Sequence, residues 1–294
     1  MTRHPIIGLA LAGLAGPLLA ATPINETRPL DARGKVEVSN LKGQVEVRTW
    51  DRNEVRITGS LGDGVERLEI DDGGRKLSVR VRYPRNGRDS EATTLVLEIP
   101  RQASLDVDSV AASVDVQGVA GDELEIDSVS GRVTAVGAPR KASIESVSGD
   151  LKLNLNSREV DVESVSGKVA LRGRIGGHID VETVSGDIDI DTRGERLARL
   201  ESSSVSGDSS IRTAMADGGR FSFESVSGDV HLALPAGVST QVEAKTFSGD
   251  IDAPGANVVR KRVGPGASLE HRYGTGSGSV TIETFSGDVE LQLD

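Results

Sequence analysis

One short phrase, Ser/Thr-Val/Phe-Ser-Gly followed in most copies by Asp, recurs along this chain and constrains its fold more than any other feature. The clear copies occupy residues 128–132, 146–150, 164–168, 183–187, 204–208, 225–229, 246–250 and 284–288. A degenerate copy occupies residues 109–113. The copies follow one another at steps of about 20 residues, except for a double step before the last. A nearly fixed period predicts one supersecondary unit stacked many times, and it favours a long repetitive surface over a single active site.

Each repeat unit contains two short strands and two turns. In residues 150–167, Leu151, Leu153 and Leu155 alternate with polar residues, a turn follows, and Val160 and Val162 alternate again before the phrase closes the unit. Coils stacked about 4.8 Å apart would pair every strand with its copies above and below. The sequence therefore predicts an all-β fold, a β-solenoid of two-strand coils of 18–21 residues.

The region before the repeats has a period of two but lacks the phrase. Residues 35–38, 44–48 and 77–81 alternate between apolar and polar, which is typical of half-buried strands. We expect an antiparallel β region here that caps one end of the solenoid, because an uncapped coil exposes unpaired backbone groups. The predicted organisation is a signal peptide at 1–21, a linker at 22–34, the cap at 35–100 and the repeat domain at 101–294.

The N-terminal segment 1–21 has the layout of a secretory signal peptide. Arg3 and His4 precede an apolar stretch over residues 6–19, and the small residues Ala20 and Ala21 follow, so cleavage is expected after one of these two alanines. The stretch is shorter than the roughly 20 residues that span a bilayer. We expect an exported protein, periplasmic, surface-bound or secreted, with no membrane span after cleavage. The chain has no cysteine, so no disulfide can stabilise it.

Composition excludes several functional classes. The formal net charge of −11 repels the phosphates of nucleic acids, so we expect no nucleic-acid partner. Aromatic residues make up 2% of the chain, which is too few for a stacking platform that binds sugars or single strands.

The second residue of the phrase is apolar in every copy, and its orientation has two interpretations. Strict alternation would expose this whole column of valines and phenylalanines, and soluble monomers rarely tolerate so large an apolar patch. We expect the chain to bend at the Ser/Thr and turn the apolar residue inward, with the glycine permitting the bend and the hydroxyls serving backbone groups. The alternative is that the column is a binding stripe. Its members are Val110, Val129, Val147, Val165, Val184, Val205, Val226, Phe247 and Phe285.

The residue after the glycine of the phrase forms a column of aspartates that could hold a metal ion. Asp187, Asp208, Asp229 and Asp250 follow one another in successive units, and stacked carboxylates either turn into solvent or share a cation such as calcium. However, the phrase lacks the Gly-Gly-x-Gly-x-Asp nonapeptide of calcium-loaded β-rolls, and Gly-Asp is an ordinary corner pair. We expect no metal site and no cofactor.

Catalysis has little support in the sequence. The histidines lack paired metal-ligand spacing, and no Gly-x-Ser-x-Gly elbow occurs. Glu145, Glu163, Glu182 and Glu224 share a column, which we interpret as a solvated strand face. We therefore expect a protein that is not an enzyme. The alternative is a carbohydrate-active β-helix enzyme, a polysaccharide lyase or hydrolase, whose glutamate column would have to face a groove and show shifted ionisation.

The glycines of the last two phrases, Gly249 and Gly287, are separated by close to twice the usual step. We interpret the interval as a degenerate coil with a protruding loop at residues 258–273. This loop carries the basic run Arg260, Lys261 and Arg262, which either is solvated or meets an anionic component of the envelope.

Residues 45–57 (Val-Glu-Val-Arg-Thr-Trp-Asp-Arg-Asn-Glu-Val-Arg-Ile), the Leu-Glu-Ile-Pro junction at 97–100 and the repeated Ser-Gly-Asp phrases resemble the bacterial putative-adhesin family. A second Leu-Pro junction at 234–237 is also similar to the family pattern. The resemblance implies a cell-envelope location and an adhesive or stress-related role, and it supplies no catalytic residues. The predicted function is a non-enzymatic, exported envelope scaffold or adhesin-like protein that binds an unidentified surface component, protein or polysaccharide.

Overall fold

The architecture was obtained from a computed structural model, which describes residues 22–85, 90–260 and 266–294. The described part is built from strands and turns, as the period-two alternation predicts. The N-terminal end consists of β1 (Thr22–Pro29), β2 (Lys35–Trp50), β3 (Glu54–Leu61), β4 (Arg67–Asp72), β5 (Lys76–Arg82) and β6 (Thr93–Pro100). The predicted signal peptide lies outside the described residues.

The middle of the chain forms the regular coils. Its strands are β7 (Ser104–Val119), β8 (Glu123–Ser130), β9 (Val133–Gly137), β10 (Lys141–Ser148), β11 (Leu151–Leu155), β12 (Glu159–Ser166), β13 (Val169–Arg172), β14 (His178–Ser185), β15 (Ile188–Ser206) and β16 (Ser209–Ser227). The C-terminal end consists of β17 (Val230–Leu234), β18 (Thr240–Ser248), β19 (Ile251–Asp252), β20 (Val259–Arg260), β21 (Ala267–Tyr273), β22 (Gly278–Ser286) and β23 (Val289–Leu293).

Each coil contributes one strand to each of two sheets, and four long strands, β2, β7, β15 and β16, bend and run through both. The first sheet carries the strands that end in the phrase, in the order β4-β5-β2-β7-β8-β10-β12-β14-β15-β16-β22-β18-β21-β20. The second has the order β1-β3-β6-β2-β7-β9-β11-β13-β15-β16-β17-β23-β19. The predicted all-β solenoid is confirmed.

Alternate side chains of both sheets point inward and form one continuous apolar core. Most of these residues are Val, Ile and Leu, and Phe221 and Phe223 are the largest fully buried side chains. Because neighbouring coils are in register, each inner residue packs on its counterpart in the next coil, as Val160 does between Ala142 and Ile179. Stability therefore comes from columns of similar side chains rather than from one bulky centre.

The N-terminal end is only partly antiparallel. β1 pairs with β3, β3 with β6, and β4 with β5 in antiparallel fashion. Because β1 falls within residues 22–34, the predicted linker is wrong for residues 22–29. However, β2 runs parallel to β7 from Lys35 to Arg48, and β5 and β6 run parallel to β2. Stacked coils therefore begin at Lys35. The sequence prediction missed this because β2 carries Ser39-Asn40-Leu41-Lys42-Gly43 in place of the phrase.

The C-terminal end departs from the order of the chain. β22 lies between β16 and β18, and β23 lies between β17 and β19, so the final coil is inserted into the stack instead of following its predecessor. β21 then pairs antiparallel with the outer edge of β18. The interval interpreted as a protruding loop is therefore wrong for residues 267–273, which form an edge strand. In the described residues no helix is long and apolar enough to cross a membrane.

Candidate binding groove

The apolar column of the phrase lies on the outside of the first sheet. Its seven valines are between 43% and 52% exposed, and Phe247 and Phe285 are 46% and 58% exposed. The predicted inward bend is therefore wrong, and the alternative of an outer stripe describes the molecule. We call this column the apolar stripe: Val110, Val129, Val147, Val165, Val184, Val205, Val226, Phe285 and Phe247, in their order along the stack.

The stripe points outward because strand alternation continues through the phrase. In β12, Val162 and Ser164 are buried, Glu163 and Val165 are exposed, and the corner comes only at Gly167. Gly167 has φ 123°, and a Cβ there would overlap the carbonyl oxygen of Gly149 in the preceding coil. The turn therefore follows the valine instead of preceding it, because glycine alone fits this close approach of two backbones.

The inner hydroxyls of the phrase occupy the last buried position before the corner. Ser225 Oγ donates a hydrogen bond to the carbonyl oxygen of Gly228 at 3.2 Å, and Thr183 Oγ1 does the same to Gly186 at 3.3 Å. The hydroxyls of Ser128, Ser146 and Ser164 are buried without a hydrogen-bond partner. The prediction that the hydroxyls serve backbone groups thus holds for part of this column.

The second serine of the phrase serves the backbone of the neighbouring coil. Ser148 Oγ donates to the carbonyl oxygen of Val129 at 3.3 Å, and Ser130 Oγ donates to that of Val110 at 3.0 Å. Strand pairing resumes on either side of the stripe residue, for example between Ser146 and Ser164. The serines therefore help to hold the stripe residues of adjacent coils in line.

A column of carboxylates runs parallel to the stripe, two residues earlier on each strand. We call it the acid column: Asp108, Asp127, Glu145, Glu163, Glu182, Glu224 and Glu283. Ser203 interrupts it between Glu182 and Glu224. Burial of its carboxyl group, together with the negative charges of Glu145 and Asp108, raises the pKa of Asp127 to about 6. Burial and the charge of Asp106 also raise the pKa of Asp108.

The acid column and all members of the stripe except Phe247 line one long, open groove of about 1310 Å³. Near its N-terminal end, Tyr83 lines the groove and donates its hydroxyl hydrogen to Asn40 Oδ1 at 2.8 Å. At the other end, the rings of Phe247 and Phe285 stack with centroids 4.8 Å apart. Lys245 Nζ lies 3.6 Å from Glu283 Oε1, so the acid column ends beside a positive charge.

The predicted aspartate column exists, with one further member. The insertion of the final coil places Asp288 between Asp229 and Asp250, so the order is Asp187, Asp208, Asp229, Asp288 and Asp250. Each carboxylate accepts a hydrogen bond from the backbone N–H of the next aspartate, at 3.3, 2.9, 2.8 and 2.7 Å along the column. We call this arrangement the aspartate ladder. Backbone donors thereby offset part of the repulsion between neighbouring carboxylates.

The aspartate ladder does not strengthen the case for a calcium site. Within the described ranges, no three His, Asp or Glu side chains converge in a way that would hold a metal ion. The expectation that Asp187, Asp208, Asp229 and Asp250 hold no calcium stays an untested prediction. Of the predicted basic run, Arg260 Nη2 donates to Asp250 Oδ1 at 2.7 Å at the end of the ladder, whereas Lys261 and Arg262 lie outside the described residues.

Sequence reasoning missed several residues that line the groove. Asp108, Asp127 and Glu283 belong to the acid column, and the signal that identifies them is their place directly before the Ser/Thr of a phrase. Leu41, 37% exposed, faces the groove beside Val110 because Asn40 pairs with Ser109 and Lys42 with Ala111. Asn40 and Gly43 thus mark an unrecognised copy of the phrase.

Fold and groove together define a class of protein: a two-sheet β-solenoid with an exposed, repetitive apolar and acidic surface. The chain belongs to the Toastrack DUF4097 family, which matches residues 102–220 and 214–292. The resemblance to the bacterial putative-adhesin family is thereby confirmed. No curated protein matches the chain.

Two solved structures illustrate what the chain is similar to. A putative adhesin from Bacteroides fragilis is 12% identical, with a TM-score of 0.45, over 92% of this chain and 98% of that one. A putative adhesin from Parabacteroides distasonis is 12% identical, with a TM-score of 0.47, over 92% of this chain and 97% of that one.

Proposed function

We propose that this protein is a non-enzymatic, exported scaffold of the cell envelope that binds a surface component along its groove. The observation that carries the proposal is the apolar stripe, whose members range from 43% exposed at Val110 to 58% exposed at Phe285. Contiguous exposed apolar surface is costly in water and marks interaction sites in soluble proteins. The signal-peptide pattern of residues 1–21 supports export.

The repetition of the stripe favours many weak contacts over one tight contact. Most coils present the same valine beside a carboxylate, so a long partner can engage several coils at once and gain affinity through multivalency. A surface component with its own repeating chemistry, protein or polysaccharide, would exploit this arrangement best.

The proposal is tested by envelope retention. Cells expressing the full chain are fractionated, and the wild type is compared with the variant Val147→Ser/Val165→Ser/Val184→Ser. Because the three valines are half exposed, the variant should stay folded, which circular dichroism and thermal melting of the purified protein check. We expect the wild type to remain with the envelope and the variant to appear in the soluble fraction. Equal retention of the two folded proteins would contradict the proposal.

One observation favours the carbohydrate-active enzyme as a second candidate. The acid column does face the groove, and burial with neighbouring negative charge raises the pKa of Asp127 to about 6. Against it, these carboxylates share one wall, whereas the acid pair of a glycosidase flanks the scissile bond. Release of reducing ends from envelope polysaccharides distinguishes the two functions. Activity that is lost on Asp127→Asn substitution would establish the enzyme, and no release by the wild type would dismiss it.

A further inference from the structure

Five successive coils carry an uninterrupted double row of charge and apolar surface. In each of these coils a carboxylate lies two residues before a stripe valine. The first such pair is Asp108 and Val110, and the last is Glu182 and Val184. Further along, Ser203 breaks the acid column, and Lys245 contacts Glu283 near its end. The central five coils therefore offer the most regular surface for a partner.

At the N-terminal end of this segment the positive charges of Arg80 and Lys35 act on Asp108, but the four carboxylates that follow have no ion-pair partner among the described residues. In the described part of the chain, Asp127, Glu145, Glu163 and Glu182 take part in no salt bridge. Asp161, two residues before Glu163 on β12, does form one, with its Oδ2 atom 3.0 Å from Lys141 Nζ. Neighbouring carboxylates along the column repel one another, and an incoming cation would relieve that repulsion. The segment is therefore complementary to a positively charged partner.

The same charge argues against other occupants of the apolar stripe. A second copy docked face to face would bring two acid columns together, and an anionic lipid surface or polysaccharide would meet like charge. Each of these would leave several carboxylates desolvated without a counterion, which is costly. A partner must therefore cover the stripe with apolar groups and the acid column with cations at once.

The spacing of the coils fits a helical partner better than an extended one. Coils repeat about every 4.8 Å along the stack, whereas residues on one side of an extended strand repeat about every 6.7 Å. One α-helical turn rises about 5.4 Å, so a helix lying along the stack keeps near register with the coils over several turns. Five coils span roughly 19 Å between their outermost members. About four helical turns cover that length.

This step rests on the proposed function and names the chemistry of the partner. We propose that the groove from Asp108 to Val184 binds a cationic amphipathic α-helix that lies along the solenoid axis. Its apolar side chains cover the apolar stripe, and its Lys or Arg side chains, about one per turn, lie over the acid column. Helix-in-groove recognition of this kind uses anchors at i, i+3, i+4 and i+7.

The test uses three synthetic peptides of about 18 residues and the purified chain without its predicted signal peptide. The first has Lys and Leu at helical spacing, so that the two residues form adjacent rows on one helix. The second has the same composition in strict alternation, which favours a strand. The third keeps the helical pattern with Glu in place of Lys. Fluorescence anisotropy measures affinity, and circular dichroism measures the helix gained on binding.

Two protein variants separate the two rows of the groove. Glu145→Gln/Glu163→Gln/Glu182→Gln removes three charges of the acid column, and Val147→Ser/Val165→Ser/Val184→Ser removes three stripe residues. The matched control, Asp71→Asn/Glu195→Gln/Asp217→Asn, removes three acidic residues that do not line the groove. Thermal melting checks that every variant is folded.

We expect the helical Lys/Leu peptide to gain helicity and to bind at least about tenfold more tightly than the other two peptides. Each groove variant should weaken its binding by about tenfold or more, and the control variant should bind as the wild type does. Equal binding of the alternating peptide, preference for the acidic peptide, or equal losses in the control variant would overturn the proposal. If no peptide binds while envelope retention still depends on the stripe, the helix is wrong and the binding scaffold stands. If retention is also independent of the stripe, both proposals fall.

Discussion

The central coils and the C-terminal end share the same phrase but are assembled differently. Between β8 and β14, each coil adds directly onto the one before it, so that the order in space follows the order of the chain. At the C-terminal end, β22 and β23 are inserted between strands that precede them in sequence. The stacked rings of Phe247 and Phe285 make the adjacency of these two coils visible on the surface.

This difference shows that the phrase determines the shape of a coil but does not determine which other coil packs beside it. Gly228, Gly287 and Gly249 all form the same corner, and the N–H of Gly287 bonds to Ser248 while that of Gly228 bonds to Ser286. Since every coil presents nearly the same edge, another interaction must decide the order. The antiparallel pairing of β21 with β18 does this by occupying the outer edge of β18, which leaves its inner edge to β22.

The largest expected effect comes from cross-linking across the inserted coil. Cysteines at Val226 and Phe285 lie on neighbouring strands, because Ser225 pairs with Thr284 and Ser227 with Ser286. Neighbouring strands are about 4.8 Å apart, which lies within the Cα separation that a disulfide accepts. Cysteines at Val226 and Phe247 would be two coils apart, about 9.6 Å, and too distant.

The chain has no native cysteine, so thiol counting after mild oxidation measures this result directly. We expect Val226→Cys/Phe285→Cys to lose its free thiols and Val226→Cys/Phe247→Cys to keep them. The reverse outcome would mean that the coils stack in chain order.

The next effect concerns the glycine corner of the inserted coil. A Cβ on Gly287 would overlap the carbonyl oxygen of Gly228, so Gly287→Ala should lower the free energy of unfolding by about 3 kcal/mol. Gly237 is the control, because a Cβ there meets nothing within 4 Å. Chemical denaturation should show Gly237→Ala within about 0.5 kcal/mol of the wild type. A tolerated Gly287→Ala would place the corner of the final coil away from Gly228.

Asp127 tests the electrostatics of the central coils. Its pKa is about 6 in the folded protein and near 3.8 when unperturbed, so the folded state binds more protons between those two values. Stability should therefore decrease as the pH rises from about 4 to about 6, and the penalty should persist above that range. Asp127→Asn should raise stability at neutral pH by about 1.5 kcal/mol, allowing for solvent screening.

Thermal melting of the wild type and Asp127→Asn across this pH range measures the effect. Glu283→Gln is the comparison at the C-terminal end, where Lys245 lies 3.6 Å from the carboxylate. That substitution should bring no gain in stability at neutral pH. If Asp127→Asn has the same pH profile as the wild type, burial and the neighbouring charges do not raise the pKa of Asp127.

The smallest effect compares two inner hydroxyls of the same phrase. Ser225→Ala removes the hydrogen bond to Gly228 and should cost about 1 kcal/mol. Ser164→Ala removes a buried hydroxyl that has no partner, and it should be neutral or stabilising. Denaturant midpoints of the two variants measure the difference. Equal losses would mean that the Ser164 hydroxyl is hydrogen-bonded in solution.

The sequence predicted the solenoid because its evidence is local. Alternation in β11 and β12 and the glycine period describe one coil, and stacking follows from repeating it. The inserted coil was not predictable in this way, because the double step between Gly249 and Gly287 is equally consistent with a skipped coil and with a later return. The pairing of β21 with the edge of β18 distinguishes these two arrangements, and it is a contact between separate strands that no local pattern of the sequence encodes.

The groove was half predicted for a similar reason. Alternation alone would have exposed Val165 correctly, but the cost of an exposed apolar column favoured an inward bend that the structure does not contain. The expected bend precedes the valine, whereas Gly167 turns the chain after it. Local geometry therefore outweighs the general cost of exposure at this column, which is the surface we propose as a binding site.

The inserted coil also bears on how the protein is made. A chain that emerges from its N-terminus can add coils one at a time as far as β16 and β17, since each new strand finds its neighbour already in place. β18 and β19 cannot take their final places in the stack on arrival, because the strands that lie between them and the finished coils, β22 and β23, are synthesised later. The β18–β21 pair must wait beside an open edge until the remaining residues arrive. Most coils of this solenoid can therefore be added in order from the N-terminus, and the last step of assembly is the insertion of β22 and β23.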